Sequence, residues 1–236
     1  MRFSTTLLFM LSFVFVFGQN ASQNIKEMVF ANPFHSSSQG YLSMINNKNI
    51  DRSLYEYLEF EFWTPIEILN YENEVLNLDS ANYFIPERKV IFYNNGNMME
   101  VFPDQVQKVR MGNREYAPFI DDNAKNKGLQ FFEVVAGTKF KFVKSKFIRE
   151  EGTDLHPMGL NKNGKTKLVS RIKYYYVKEG SSTAIAVPRT KSKFVKAFKR
   201  HKKKIIKYLE KRKLSLRVEE DLIVIARYYN FLLNDK

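Results

Sequence analysis

From Pro65 to Val187, apolar and polar side chains alternate in short runs separated by Gly, Asn or Pro, the pattern of strands with one buried face. Residues 65–69 place Ile66 and Ile68 on one side, residues 70–73 can turn, and Val75, Leu76 and Leu78 open an extended run that reaches Ile85 before Pro86. Residues 89–93 and 98–102 flank Asn94-Asn95-Gly96-Asn97, and Asn-Gly supplies the positive φ angles that a tight primed hairpin turn requires. Residues 106–111 and 114–118 flank Gly112-Asn113 in the same way. Beyond a polar loop at 121–128, a strand at 131–135 turns at Ala136-Gly137 into 139–143. There Phe140 and Phe142 oppose Lys139 and Lys141, which predicts a sheet wet on one face. The alternation slips at Lys144-Ser145-Lys146, which predicts a bulge or corner. A last hairpin joins 172–178 to 183–187 through Glu179-Gly180-Ser181.

After Pro188 the period changes to that of a helix. Phe194, Val195, Phe198, Ile205, Ile206, Tyr208 and Leu209 fall on one side, with Thr190 or Ser192 available as a cap; His201 and Lys202 interrupt the apolar side. A second helix from about Val218 has Glu219, Glu220 and Asp221 at the positive end of its dipole and Leu222, Ile225, Ala226, Tyr229 and Leu233 on one face. The expected fold is therefore α+β: an antiparallel β-meander, as a roll or partly closed barrel that removes exposed edges, followed by two C-terminal amphipathic helices. The expected organisation is a leader at 1–18, a poorly ordered Asn- and Ser-rich lead-in at 19–50, a β domain at 51–188 and a helical hairpin at 189–236.

Charge adds a feature that hydropathy does not carry. The formal net charge is +13; thirteen of the 38 Lys and Arg residues fall in residues 189–213 beside one acid, Glu210. With Arg2 in the leader set aside, the rest balances at 24 basic and 24 acidic side chains. On the first helix Lys193, Lys196, Lys199, Arg200, Lys203, Lys204, Lys207 and Lys211 lie opposite the apolar side, a candidate anion-binding surface whose grip weakens with salt. The competing reading is a solvated outer face answered in part by Glu219, Glu220 and Asp221. Nucleic acid is the less favoured partner, because the aromatics occupy the other face instead of interleaving with the lysines for stacking.

The leader has a basic start at Arg2, an apolar run from Leu7 to Phe17 and small-residue spacing at Val16 and Gly18 suited to cleavage before Gln19. The run is too short to span a bilayer comfortably, so it reads as a signal peptide for export. With no cysteine, disulfides, thiolate zinc sites and a lipid anchor through an N-terminal cysteine are not expected. The 21 Phe and 13 Tyr supply more apolar surface than a disordered chain carries.

Motifs for chemistry are weak. Gly159-Leu-Asn-Lys-Asn-Gly164-Lys165-Thr166 satisfies the phosphate-loop pattern, but that loop needs a buried strand before it and a helix after it; a strand is expected to follow instead. His35, His156 and His201 are scattered, and Asp121-Asp122-Asn123 lacks the alternation of a calcium loop, so no metal or cofactor is expected. No nucleophile elbow surrounds any serine, and carboxylate pairs such as Glu150-Glu151 read as surface charge.

The succession FFEVVAGTKFKFVKSKFI, RIKYYYVKEGSSTAIAVP and KSKFVKAFKRHKKKIIKYLEKRKLSLRVEEDLIVIARYYNFL resembles a family of exported proteins of uncharacterised function from Gram-negative bacteria. The resemblance covers about residues 60–233 and implies an exported strand-plus-terminal-helix protein, with no catalytic residues to carry over. The expected role is a non-enzymatic envelope or secreted accessory protein, periplasmic or extracellular, binding an anionic envelope polymer or lipid through the basic helix. The alternatives are a barrel holding an apolar ligand, motivated by the Phe-rich strands, and a hydrolase with an unrecognised site.

Overall fold

The computed structural model describes residues 30–31, 56–94, 97–125, 127–152, 166–198 and 201–235. Among these residues eleven strands form one mixed sheet: β1 (Phe30–Ala31), β2 (Thr64–Asn70), β3 (Val75–Phe84), β4 (Lys89–Asn94), β5 (Asn97–Val101), β6 (Val106–Met111), β7 (Arg114–Asp121), β8 (Leu129–Ala136), β9 (Lys141–Gly152), β10 (Thr166–Val177) and β11 (Thr183–Ala186). The α+β class and nearly every expected hairpin are present. Asn94 pairs with Asn97, the register that a two-residue Asn-Gly turn dictates, and Gly112 carries the positive φ of the β6–β7 turn.

The sheet is not a plain antiparallel meander. β7 divides one edge between two partners: Arg114–Tyr116 pair with β6, while Ile120 and Asp121 pair in parallel with Thr183 and Ala184 of β11. Since β7 also pairs with β8, β8 with β9, β9 with β10 and β10 with β11, strands β7 to β11 close into a five-stranded ring. Closure satisfies edges that a meander would leave open. Ala117, Phe119, Phe132, Val143, Tyr175, Val177 and Ala184 cluster on its inner face, with Phe132 and Tyr175 edge to face at 5.1 Å.

Strands β6, β2, β3, β4, β5 and β1 continue from the ring as a wing in that order. The wing curls back, and Ile66, Ile68, Tyr83, Val90, Phe92, Val109 and Met111 bury with Tyr116 and Phe131 of the ring. Two bonds fasten the curl: the Phe131 N–H donates to the Arg88 carbonyl at 2.9 Å, and the Tyr83 hydroxyl donates to the Phe131 carbonyl at 2.8 Å. Arg88, at φ +56 in the β3–β4 turn, reaches over Phe132 and bonds Asp121 at 2.9 Å. Within the stretch expected to be a poorly ordered lead-in, Phe30–Ala31 pair with β5; the expected leader lies outside the described residues.

Two strand expectations need correction. No bulge interrupts Lys144-Ser145-Lys146, because β9 pairs with β10 in unbroken register from Lys141 to Gly152; the register shift falls between Val134 and Ala136 on β8. The lysines keep strict alternation because Lys144 and Lys146 find carboxylate partners on the outer face of the ring. Lys141 does not face open water either: it is half-buried on the inner-face side, its ammonium over the Phe119 ring.

The terminal region holds three helical pieces, not two. These are α1 (Lys191–Phe194), continued by a 3₁₀ turn (Val195–Ala197), then α2 (Lys202–Lys211) and α3 (Glu219–Asn234). Phe198, at φ −100 and ψ 69, ends the 3₁₀ turn, and His201 precedes α2. The break explains why His201 and Lys202 fell out of phase on the apolar side. Thr190 sits at the N-cap of α1 without a side-chain capping bond. The helices cover the outer face of the ring through Phe140, Phe142 and Tyr176 packed on Phe194, Phe198, Ile205, Leu209, Leu222, Ile225 and Tyr229, a cluster dense in edge-to-face ring pairs.

Candidate functional site

The basic surface grows directly from this packing. With Ile205 and Leu209 buried, α2 has one orientation, and placing residues about 100° apart puts Lys203, Lys207, Lys211 and Lys204 within one quarter to one third of its circumference. All four are exposed, as are Lys193 and Lys196 on the preceding piece, so the expected site is carried by two short elements in place of one continuous helix. Lys199 and Arg200 lie outside the described residues.

The acids expected to answer these lysines do not. Glu219 is taken by Lys144 and Tyr174, and the Asp221 carboxylate accepts the Ser215 N–H at 2.7 Å. Among the described residues, no cation between Lys191 and Lys213 lies within 4 Å of a carboxylate. At the edge of the lysine arc Tyr208, which the periodicity places on the apolar side, takes part in an aromatic stack. Tyr208 and Tyr228 are half-buried and stacked at 3.9 Å and 16°, and the Arg212 guanidinium lies 5.5 Å from the Tyr208 ring centre. Tyr208 stood on the apolar side of the wheel, but Tyr228 of α3 could be matched to it only in three dimensions.

A second constellation was not expected. On the outer face of the ring, between the wing and the helices, charges alternate along a chain: Lys146, Glu59, Arg114, Glu133, Lys144, Glu219. Lys146 lies 2.7 Å from Glu59, Arg114 bonds Glu59 and stands 3.7 Å from Glu133, and Lys144 lies 3.0 Å from both Glu133 and Glu219. Tyr174 extends the chain by donating to Glu219 at 2.9 Å. The Glu59 side chain is only 5% exposed and Lys144 17%. Glu59, Arg114, Glu133, Lys144 and Lys146 line a pocket of about 100 Å³ with Tyr83, Tyr116 and Ile172.

The electrostatics of this seam follow from its pairings. Burial alone would lower the Lys144 pKa, but hydrogen bonds to Glu133 and Glu219 hold it above the ordinary lysine value. Tyr174 is pushed up by burial and by its bond to Glu219. Burial raises Tyr116 as well, with Glu133 and Glu59 adding to it and Arg114 opposing; its buried hydroxyl has no hydrogen bond of good geometry. In chemical terms the carboxylates converge and cations occupy them, so the seam ties strands to helices.

Asp121, weighed as the start of a calcium loop, accepts from Arg88, from the Tyr175 hydroxyl at 3.0 Å and from the Asn123 N–H at 3.0 Å. Burial would raise its pKa, but these three donors hold it below the ordinary carboxylate value. Among the described residues no group of three His, Cys, Asp or Glu could hold a metal ion. His201 packs against Tyr229 at 6.0 Å between ring centres, while His35 and His156 lie outside the described residues. Most of the phosphate-loop pattern also lies outside them, but Thr166 opens strand β10 where that loop would need a helix. Among the described residues no helix is long and apolar enough to cross a membrane.

Comparison with known proteins returns no match, whether to family models, to curated proteins or to solved structures.

Proposed function

We propose that this is an exported, non-enzymatic accessory protein of the cell envelope or medium that holds an anionic surface or partner through the basic face of α1 and α2. Kinship with the exported Gram-negative proteins that its sequence resembles belongs to the same proposal. One observation carries it: in the segment that bears the whole charge imbalance, the described lysines are exposed and free of carboxylate partners, while Glu219 and Asp221 beside it are bound elsewhere. Unpaired cations on one rigid face attract polyanions in proportion to their number, and added salt screens that attraction. The strand body acts as the scaffold, since its own charges close on one another in the seam.

The test is retention on an immobilised sulfated polysaccharide in a salt gradient. A variant with Lys196, Lys203, Lys204 and Lys207 changed to Gln should elute at clearly lower salt than the unaltered protein. Equal elution would remove the reading. Export is checked separately, by the mass of the protein recovered outside the cytoplasm, which should correspond to a chain starting at Gln19.

A further inference from the structure

The basic surface is not purely ionic. On α3, Tyr228 faces α2 through its stack with Tyr208. Phe231 lies three residues further on, hence on the same shoulder of the helix, and is 63% exposed; Arg227, one turn earlier, is exposed beside it. Across its surface the helical layer therefore presents the exposed lysine arc of α2, the half-buried Tyr208–Tyr228 stack with Arg212 beside it, and the exposed Phe231 and Arg227 of α3.

We infer that this face docks on a phospholipid bilayer containing anionic lipids, with the lysines among the headgroups and Phe231 entering the interface. The inference rests on the reading of the basic face given above and names its partner. Three features separate a bilayer from other polyanions. First, the apolar side of α2 is committed to the core through Ile205 and Leu209, so the helix cannot roll over and insert; contact is made by lysine ammonium groups, compact charges on flexible stems that suit a fluid array of phosphates. Second, a single-stranded nucleic acid would need open ring faces for its bases, and Tyr208 already has Tyr228 and Arg212 against it. Third, an exposed aromatic beside cations gains nothing from a soluble polymer without bases to stack but gains from the headgroup boundary, where rings partition favourably, and one lone ring makes no platform for successive bases.

The experiment is co-sedimentation with vesicles of pure phosphatidylcholine and with vesicles in which part of it is replaced by phosphatidylglycerol, at low and high salt. Single-stranded DNA and a soluble sulfated polysaccharide serve as competing polyanions. Each lysine near an anionic surface multiplies partitioning roughly fivefold, so the variant with Lys203, Lys204, Lys207 and Lys211 changed to Gln should lose about a hundredfold or more on the anionic vesicles. Phe231→Ser should weaken vesicle binding severalfold and leave DNA and polysaccharide binding unchanged; that is the outcome specific to a bilayer. Lysine-dependent binding to DNA or polysaccharide without binding to anionic vesicles would overturn the inference and leave the anion-binding reading standing. Equal binding to neutral and anionic vesicles would also overturn it, and failure to bind any of the three polyanions would remove both. Circular dichroism of each variant, expected to match the unaltered protein, keeps a loss of binding from being a loss of fold.

Discussion

Asn230, buried on α3, ties the helical layer to the β8–β9 turn. Its Oδ1 accepts the N–H groups of Lys139 at 2.9 Å and Phe140 at 3.0 Å and the Thr138 hydroxyl at 3.2 Å; its Nδ2 donates to the carbonyls of Phe140 at 2.7 Å and Ala226 at 2.8 Å. The β8–β9 turn thus closes around one amide. In Asn230→Ala, Lys139 and Thr138 border solvent and can turn to water, but the N–H and C=O of Phe140, a residue 2% exposed, lose their partner inside the core. At about 1–3 kcal/mol for each stranded group, the expected loss is about 3 kcal/mol, a large part of the roughly 5–15 kcal/mol that a domain commands. Urea unfolding followed by circular dichroism measures it, and a loss below about 1 kcal/mol at an unchanged denaturant slope would refute the reasoning. Asn230→Asp sharpens the test. Its second oxygen would face two carbonyls, which favours the protonated acid and raises the folded-state pKa. The stability deficit against the unaltered protein should then be largest at neutral pH and shrink as pH falls through that raised value. A deficit independent of pH would mean that the amide is not oriented as described.

Other consequences can be measured on the same protein. Lys144→Met leaves Glu133 and Glu219 without their shared cation, and removing one member of a mostly buried pair should cost about 2–4 kcal/mol; Glu219→Gln made in the same chain should recover part of it in a double-mutant cycle. Gly137→Ala places a methyl 2.0 Å from the Phe140 carbonyl oxygen at φ +99, so soluble yield and Tm should both fall sharply, whereas Gly180→Ala, with open space at its Cβ, should cost only the strain of its positive φ. Stability should decline at both pH extremes. Tyr83, Tyr116, Tyr174 and Tyr175 have folded-state pKa values raised chiefly by burial, so their contribution is present below about pH 10 and lost above it. Asp121 has a lowered value, so its contribution is present above about pH 4 and lost below it, and Arg88→Met should weaken that acid limb in a pH series of thermal melts.

Alternation made the strands legible because a sheet buried on one face must repeat every two residues. What alternation cannot carry is closure. The β7–β11 pairing joins two residues on each strand across 63 positions of chain, and nothing in 183–187 distinguishes a hairpin end from the strand that shuts a ring. The same limit misplaced Lys141: period two separates the faces but does not say that one of them is the inside of a ring, where a lysine stem can lie over Phe119. The seam was half visible. Lys144 and Lys146 are in phase with Phe140 and Phe142, which should have marked them as facing something more than water. Their partners, however, come from the segment before β2, from β8 and from α3, and single-sequence periodicity cannot bring these together.

The helix break bears most directly on function. Apolar spacing runs through residues 198–201 without Gly or Pro because each piece satisfies the same core from its own side; the one signal was His201 and Lys202 out of phase, and α2 starts there. A rigid rod would have fixed all the lysines in one line, whereas two pieces allow Lys193 and Lys196 an orientation independent of the α2 arc. The charge itself does nothing for this packing. Lys203, Lys207 and Lys211 recur at i, i+4, where like charges repel, and the nearby acids do not answer them. Changing these three to Gln should therefore leave Tm equal or higher while retention on a polyanion falls. Were Tm to drop with retention, the lysines would be working for the fold, and the separation of an anchoring face from a binding face would fail.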